Sequence, residues 1–293
     1  MKPVSNHAIR ITMLFLFPCN SLFAQHSSKD TSDKNTEVSF AKAGVSYISN
    51  IVFAGRKDSA AVPYINPKIG YYHKSGLFAE GSFSFLTSAA EKRIDLYTIT
   101  AGYTLAKENF IAELNATKYF FNNNSNNVQS EISGYAAAYA GYNFKNIVTI
   151  YADAMITFSS KPDFFSGTEL SHSFYMAKDN LKISPSLYVV FGTQNYYSEY
   201  YTYRRYSTSG SGRGYGGSSS LTVPVSIKET SKFKLLSYEF SLPLSYSYKT
   251  INLYVTPVLA IPVNPSTITV NNVTTKETLS NTFFLQAGIE FSF

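Results

Sequence analysis

From Leu236 to Tyr248 every second residue is apolar or aromatic: Leu236, Tyr238, Phe240, Leu242, Leu244, Tyr246 and Tyr248. Ser237, Glu239, Ser241, Pro243, Ser245 and Ser247 fill the gaps. The stretch from Ile251 to Val263 repeats the pattern with Ile251, Leu253, Val255, Pro257, Leu259, Ile261 and Val263. A strand collects such residues on one side, whereas a helix would spread them round its circumference. The chain is therefore read as long strands, each with one greasy face and one wet face.

Period two recurs in about twelve segments, near 43–54, 62–73, 77–87, 93–105, 109–121, 130–143, 147–158, 169–177, 181–195, 232–247, 250–263 and 281–293. Most are long enough to cross a bilayer at a tilt, for which about 9–11 residues suffice. Strands of soluble proteins run nearer five or six, roughly half that. The joins between segments alternate in length. Tight ones, each with a lysine, are "HKSG" (73–76), "AKEN" (106–109), "FKNI" (144–147), "AKDN" (177–180) and "YKT" (248–250). Between them fall longer polar joins near 56–61, 88–92, 122–129, 159–168, 196–231 and 264–280. Every tight turn then lies at one end of a sheet and every long join at the other.

This asymmetry resembles that of Gram-negative outer-membrane β-barrels, with short periplasmic turns and long extracellular loops. The final "FLQAGIEFSF" alternates up to an aromatic end, and is similar to the closing strand that the barrel-assembly machinery recognises in that family. The resemblance implies a transmembrane antiparallel up-and-down barrel, all-β, in which Phe291 and Phe293 face lipid on the strand that pairs with the first. Closure is demanded because hydrocarbon offers no partner to a bare strand edge. The 24 Tyr and 23 Phe, with no Trp, supply two aromatic girdles: Tyr71, Tyr103, Tyr142, Phe144, Tyr246, Tyr248, Phe291 and Phe293 near the tight turns, and Phe53, Phe85, Tyr97, Phe120, Phe158 and Phe283 at the other end.

The start of the chain reads as a signal peptide over 1–24, with basic Lys2 and Arg10, an apolar run from Ile11 to Phe17 and Ala24 ahead of the expected cut. Pro18 before Cys19 departs from the lipobox pattern, and cleavage would remove the only cysteine. Residues 25–41 read as a flexible periplasmic leader and 42–293 as the barrel. Removing Lys2 and Arg10 lowers the net charge from +6 to about +4, too mild to argue for nucleic acid.

On the wet parity stand Lys68, Glu80, Glu113, Asp153, Lys182, Glu239 and Glu290. Lys68, Glu80, Glu113 and Asp153 are expected in one layer, as an ion-pair network or a weakly cation-preferring constriction. Small inward residues, Gly44, Ser82, Ser84, Gly102, Ser133, Gly141 and Gly288, are expected to leave room for water. The longest join, rich in Tyr, Gly and Ser, offers Tyr200, Tyr203, Arg204, Arg205 and Arg213 as a surface-loop site for anionic sugars or phosphates. "NNNSNN" (122–127) reads as a polar turn tip.

Twelve-stranded outer-membrane enzymes of the phospholipase type need a His and a Ser on neighbouring strands, and omptin proteases need paired rim aspartates facing Asp-x-His; neither pattern matches. His172 is the only histidine expected near the long-loop rim. No catalytic residue, metal ligand or cofactor is assigned. The expected function is a narrow channel for small polar solutes or ions; the alternative is a plugged barrel displaying loop 196–231 for adhesion or envelope assembly. Expected partners are outer-membrane lipid, the barrel-assembly machinery and small polar solutes or surface glycans, with a monomer in the outer membrane.

Overall fold

The computed structural model describes residues 38–57, 61–88, 91–200, 225–270 and 273–293. The expected signal peptide over 1–24 and most of the expected leader lie outside them. The strands in chain order are β1 (Phe40–Ile48), β2 (Tyr64–Tyr72), β3 (Leu77–Thr87), β4 (Lys92–Lys107), β5 (Phe110–Phe121), β6 (Gly134–Phe144), β7 (Val148–Phe158), β8 (Asp163–Ser171), β9 (Phe174–Met176), β10 (Leu181–Ile183) and β11 (Ser186–Gly192). A short helix α1 (Asn195–Tyr200) follows, then β12 (Val225–Lys228), β13 (Lys234–Ser241), β14 (Leu244–Tyr248), β15 (Ile251–Pro262), β16 (Thr267–Val270), β17 (Val273–Lys276) and β18 (Thr282–Ser292).

Successive staves of the wall pair antiparallel, and the wall closes where β1 meets β18 in the register Val45↔Ile289 and Lys42↔Ser292. Ala41 and Phe293 then exchange backbone bonds of 3.1 and 2.9 Å, so no edge is left bare at the seam. The barrel has twelve staves. β9, β10 and β14 are the tight-turn ends of staves whose other parts are β8, β11 and β13. The eighth stave begins at Asp163 rather than near 169, so its preceding join is shorter than the sequence suggested.

The three interruptions form a staircase. Pro185 and Pro243 stand at two of them, and proline has no N–H to give a ladder. The carbonyls of Pro185, Pro243 and Pro257 instead accept from His172 (3.3 Å), Ser184 (2.9 Å) and Leu242 (3.1 Å) on the neighbouring stave. At the tight turns non-glycine residues take left-handed backbone: Glu108, Lys145, Asn146, Lys178 and Lys249 all have positive φ. Lys145 and Asn146 do so consecutively, which is the primed-turn geometry that matches strand twist.

The outer face is apolar. Ile69, Ile99 and Leu114 are each 60% or more exposed, which water would penalise and lipid would not. Tyr71, Tyr103, Tyr142, Phe144, Tyr246 and Tyr248 ring the tight-turn end, and Tyr97, Phe120, Phe158 and Phe283 ring the other. Eleven-residue strands such as β7, at about 3.4 Å per residue and about 40° of tilt, span roughly 28 Å, close to the apolar band of such barrels. Phe53 is the exception among the expected girdle residues: it is buried inside the long-loop end.

Candidate functional site: a filled lumen under a plug

The long joins do not all stand away from the barrel. Residues 49–57, 122–133 and α1 turn inward and bury Phe53, Val128, Ile132, Tyr196, Tyr197 and Tyr200 against the wall residues Leu96, Tyr119, Tyr135, Met155, Phe165, Val190 and Leu236. A second apolar cluster, Ile48, Val52, Val62, Tyr64, Leu86, Val258, Ala260 and Phe284, seals the neighbouring arc. Phe53 sits edge-on to Phe165 and Tyr196, with centroids 5.1 and 4.7 Å apart, and the Tyr196 hydroxyl donates to the Phe53 carbonyl at 3.3 Å. The long-loop end is thus closed by an apolar plug.

Buried charged side chains anchor each piece of this plug. Asp163, fully buried at the head of β8, accepts from Thr193 Oγ1 (2.6 Å) and from the first N–H groups of α1, Asn195 (2.6 Å) and Tyr196 (2.7 Å). A carboxylate there satisfies donors that a helix cannot satisfy itself. Asp95 accepts from Tyr64 Oη, from Ser125 Oγ (2.6 Å) and from Arg93 Nε (2.9 Å), while Arg93 Nη2 donates to the Asn124 carbonyl at 2.6 Å. Join 122–133 is held down by that set, and Ser125 and Asn127, expected at an exposed polar tip, are buried. Arg56 reaches the carbonyls of Leu236 (3.3 Å) and Val263 (3.2 Å) and pairs with Glu277 at 3.3 Å. None of Asp95, Asp163, Arg56 and Glu277 emerges from strand periodicity, because all act at the strand–loop junctions where the period stops. The available signal was apolar residues where strand pattern meets join, "IVF" at 51–53 at the end of the first segment and "VQSEI" at 128–132 across the end of the 122–129 join.

Tyr200, expected on an exposed loop, is buried, and its hydroxyl donates to the Asn126 carbonyl at 3.3 Å. It belongs to the plug because α1 carries it inward. Tyr203, Arg204, Arg205 and Arg213 lie outside the described residues. Above the plug β12, β16 and β17 form a separate three-stranded sheet, whose inward Ile227 and Ile268 join the plug cluster.

Of the expected lumen residues, Glu113, Asp153, Lys182, Glu239 and Glu290 are buried, and Glu80 lies in the field of both Lys68 and Glu113. Lys68 ion-pairs with Glu290 across the intervening β1. The residue between them in register is Gly44, where a Cβ would stand 2.7 Å from the Ile289 carbonyl and 3.1 Å from Glu290 Cγ. Glu80 lies in the same way over Gly70, whose other neighbour is Lys42. On the opposite arc Tyr188 crosses Gly167 to donate to Asp153 at 3.1 Å. Glu113 accepts from Asn115 Nδ2 at 2.7 Å, Glu239 from Ser237 Oγ at 3.3 Å, and Lys182 lies in the field of Glu169.

Inward glycines therefore do not leave room for water, as their small size suggested. Rings from the adjacent strand lie over them: Tyr151 on Gly141, Tyr254 on Gly288 and Phe78 on Gly102, each the direct register partner. A Cβ at Gly141 would meet the Tyr151 ring at 2.3 Å. The sequence reading assigned aromatics to the girdles and missed this inner set, whose signal was tyrosine on the wet parity opposite glycine.

His172 lies toward the tight turns, not at the long-loop rim, because its stave starts six residues earlier than the periodicity placed it. Its Nδ1 is 2.6 Å from the Ile147 carbonyl and its ring meets Phe174 at 4.3 Å. Among the described residues no cluster of three or more His, Cys, Asp or Glu is placed to hold a metal.

The closed wall, the apolar belt and the polar inner face define a transmembrane antiparallel β-barrel. No protein-family model matches the sequence, and no curated protein does. Among solved structures the chain is similar to the KdgM porin, with 9% identity over 86% of this chain and 99% of that one and a TM-score of 0.47. It is also similar to the NanC porin, with 9% identity over 86% and 98% and a TM-score of 0.46. An outer membrane channel from Pseudomonas putida F1 is 13% identical over 90% and 100%, with a TM-score of 0.46.

Proposed function

We propose that the protein is a channel-type barrel of the Gram-negative outer membrane, in which a plug folded from the long joins closes a bore for small polar solutes or ions. The supporting observation is that the plug is separable in construction. It comes from residues 49–57, 122–133 and 195–200, fixed by side-chain anchors such as Asp163, while the wall behind it is complete without it. Below it buried polar residues continue as far as the tight turns, Lys182, Asn143 and Thr149 among them, with Tyr72, Phe78 and Ile111 interspersed. A barrel that only displayed loops would have no use for a removable stopper over a polar passage.

The test is planar-bilayer recording of the full mature chain and of Asp163→Ala, each checked for a folded barrel by its shifted migration on unheated gels. The native chain is expected to be mostly silent and Asp163→Ala to show steady ohmic steps. If both are folded and both stay silent, the channel reading is abandoned for the second one. That second reading is a surface module, supported by the sheet of β12, β16 and β17 with its fully exposed outer strand Val273–Lys276, and by residues 201–224 between α1 and that sheet.

A further inference from the structure

The lipid-facing parity of the staves has one interruption. Between the two aromatic girdles, and among the described residues, Lys118 is the one Lys, Arg, Asp or Glu on that parity. Lys92 and Lys107 share it but stand at the two ends of β4, beyond Tyr97 and Tyr103. Lys118 is exposed and lies two residues inside the girdle residue Phe120, about 5 Å toward the hydrocarbon at about 3.4 Å per residue and about 40° of tilt. A cation on the lipid face is disfavoured at that depth and gains by bending toward the headgroups. Lys118 does so: its ammonium stands 5.8 Å from the centroid of the Phe120 ring. A ring face offsets only part of a full positive charge. The acids of nearby joins do not complete it. Glu91 pairs with Arg93, Glu199 accepts from Ser160 Oγ and the Lys161 N–H, and among the described residues no ion pair includes Lys118.

The surface beside this lysine is bare. Lys118 faces Gly134 in register, and Gly134 faces Phe158. A Cβ at Gly134 would stand 2.3 Å from the Thr117 carbonyl, so the backbone itself keeps a side chain away from that position. Toward the tight turns the next lipid-facing residues of β6 are Ala136, Ala138 and Ala140. Leu114 rises on one side, opposite Ala138, and Ile156 on the other, opposite Ala136. The result is a shallow apolar trough with a cation at its head. Gly134 to Ala140 covers about 15 Å of depth at that tilt, roughly one leaflet of hydrocarbon. Because Lys118 lies at the long-join end, the leaflet is the outer one. A positive charge at headgroup level over a smooth apolar path complements an anionic headgroup carrying an acyl chain.

We propose that Lys118 and the β6 trough hold one phosphate-bearing lipid of the outer leaflet, its phosphate on the Lys118 ammonium and an acyl chain along Ala136 and Ala138. The site is on the outside of the wall and stands whether or not the bore conducts. The test is native mass spectrometry of the full mature chain, folded in detergent and titrated with phosphorylated lipid A or with the same lipid stripped of its phosphates. One phosphorylated lipid per chain is expected to bind with saturation. Lys118→Gln should weaken it by about ten-fold, the worth of one charge-assisted contact, and should leave the stripped lipid unaffected. Ala136→Leu, which fills the trough on a lipid-facing surface, should weaken both lipids by a few-fold. Lys107→Gln at the tight-turn end should change neither. Absence of saturable binding by the native chain, equal affinity in the folded Lys118→Gln variant, equal retention of the stripped lipid, or displacement by millimolar inorganic phosphate overturns the proposal.

Discussion

The two ends of the lumen are closed by different means. Toward the tight turns, side chains find partners across one intervening strand: Lys68 meets Glu290 over Gly44, and Tyr151 covers Gly141 from the adjacent strand. Those contacts belong to the wall and depend on its register. Toward the long joins, Phe53, Val128, Tyr196 and Tyr200 come from outside the wall and pack as a soluble core would, tied down by Asp95, Asp163 and Arg56. A barrel can thus carry a second, smaller folding unit whose stability is set by hydrophobic burial and anchoring, while the staves are set by backbone pairing and lipid.

Tyr196→Ala removes the ring at the centre of the plug and is expected to destabilise that unit by about 3–5 kcal/mol. The check is limited proteolysis within residues 49–57 and 195–200, which should become fast while the barrel still migrates as folded on unheated gels. If the barrel collapses with the plug, the division into two units is wrong. Lys68→Gln strands Glu290 on the wall side. A loss of about 3 kcal/mol or more is expected in urea unfolding from lipid vesicles, with no change in plug proteolysis.

Glycine substitutions sharpen the contrast further. Gly141→Ala drives a methyl into the Tyr151 ring and should cost about 1–3 kcal/mol. Gly81→Ala has its nearest neighbour, the Thr98 carbonyl, at 4.0 Å and should be close to neutral. The smallest effect belongs to the sheet above the plug, where Val273→Ser on exposed β17 should change stability by less than about 0.5 kcal/mol in the same unfolding measurement.

Wall and plug also differ in how far they could be read from the residues alone. Alternation such as that of Leu236 to Tyr248 specifies which face meets lipid, and tight turns such as "FKNI" fix the order of staves, so the closed barrel follows from local pattern. The inner ion pairs do not, because Lys68 and Glu290 are far apart in sequence and become neighbours only when the last stave closes on the first. The plug was hidden for another reason. Phe53 continues the parity of the first strand, and only the turn at Ala54 and Gly55, both with positive φ, carries it inward. Tyr200 was misplaced because a six-residue helix leaves little periodic trace.

The proline staircase bears on how such a wall is made. At Pro185, Pro243 and Pro257 successive staves are laced by carbonyls that receive and nitrogens that cannot reciprocate, so this quarter of the circumference is knit with fewer stitches than the rest. Under shear or sideways pressure from the bilayer the circumference should yield there first, and hydrogen exchange should find its fastest wall amides between His172 and Leu242 near the tight turns.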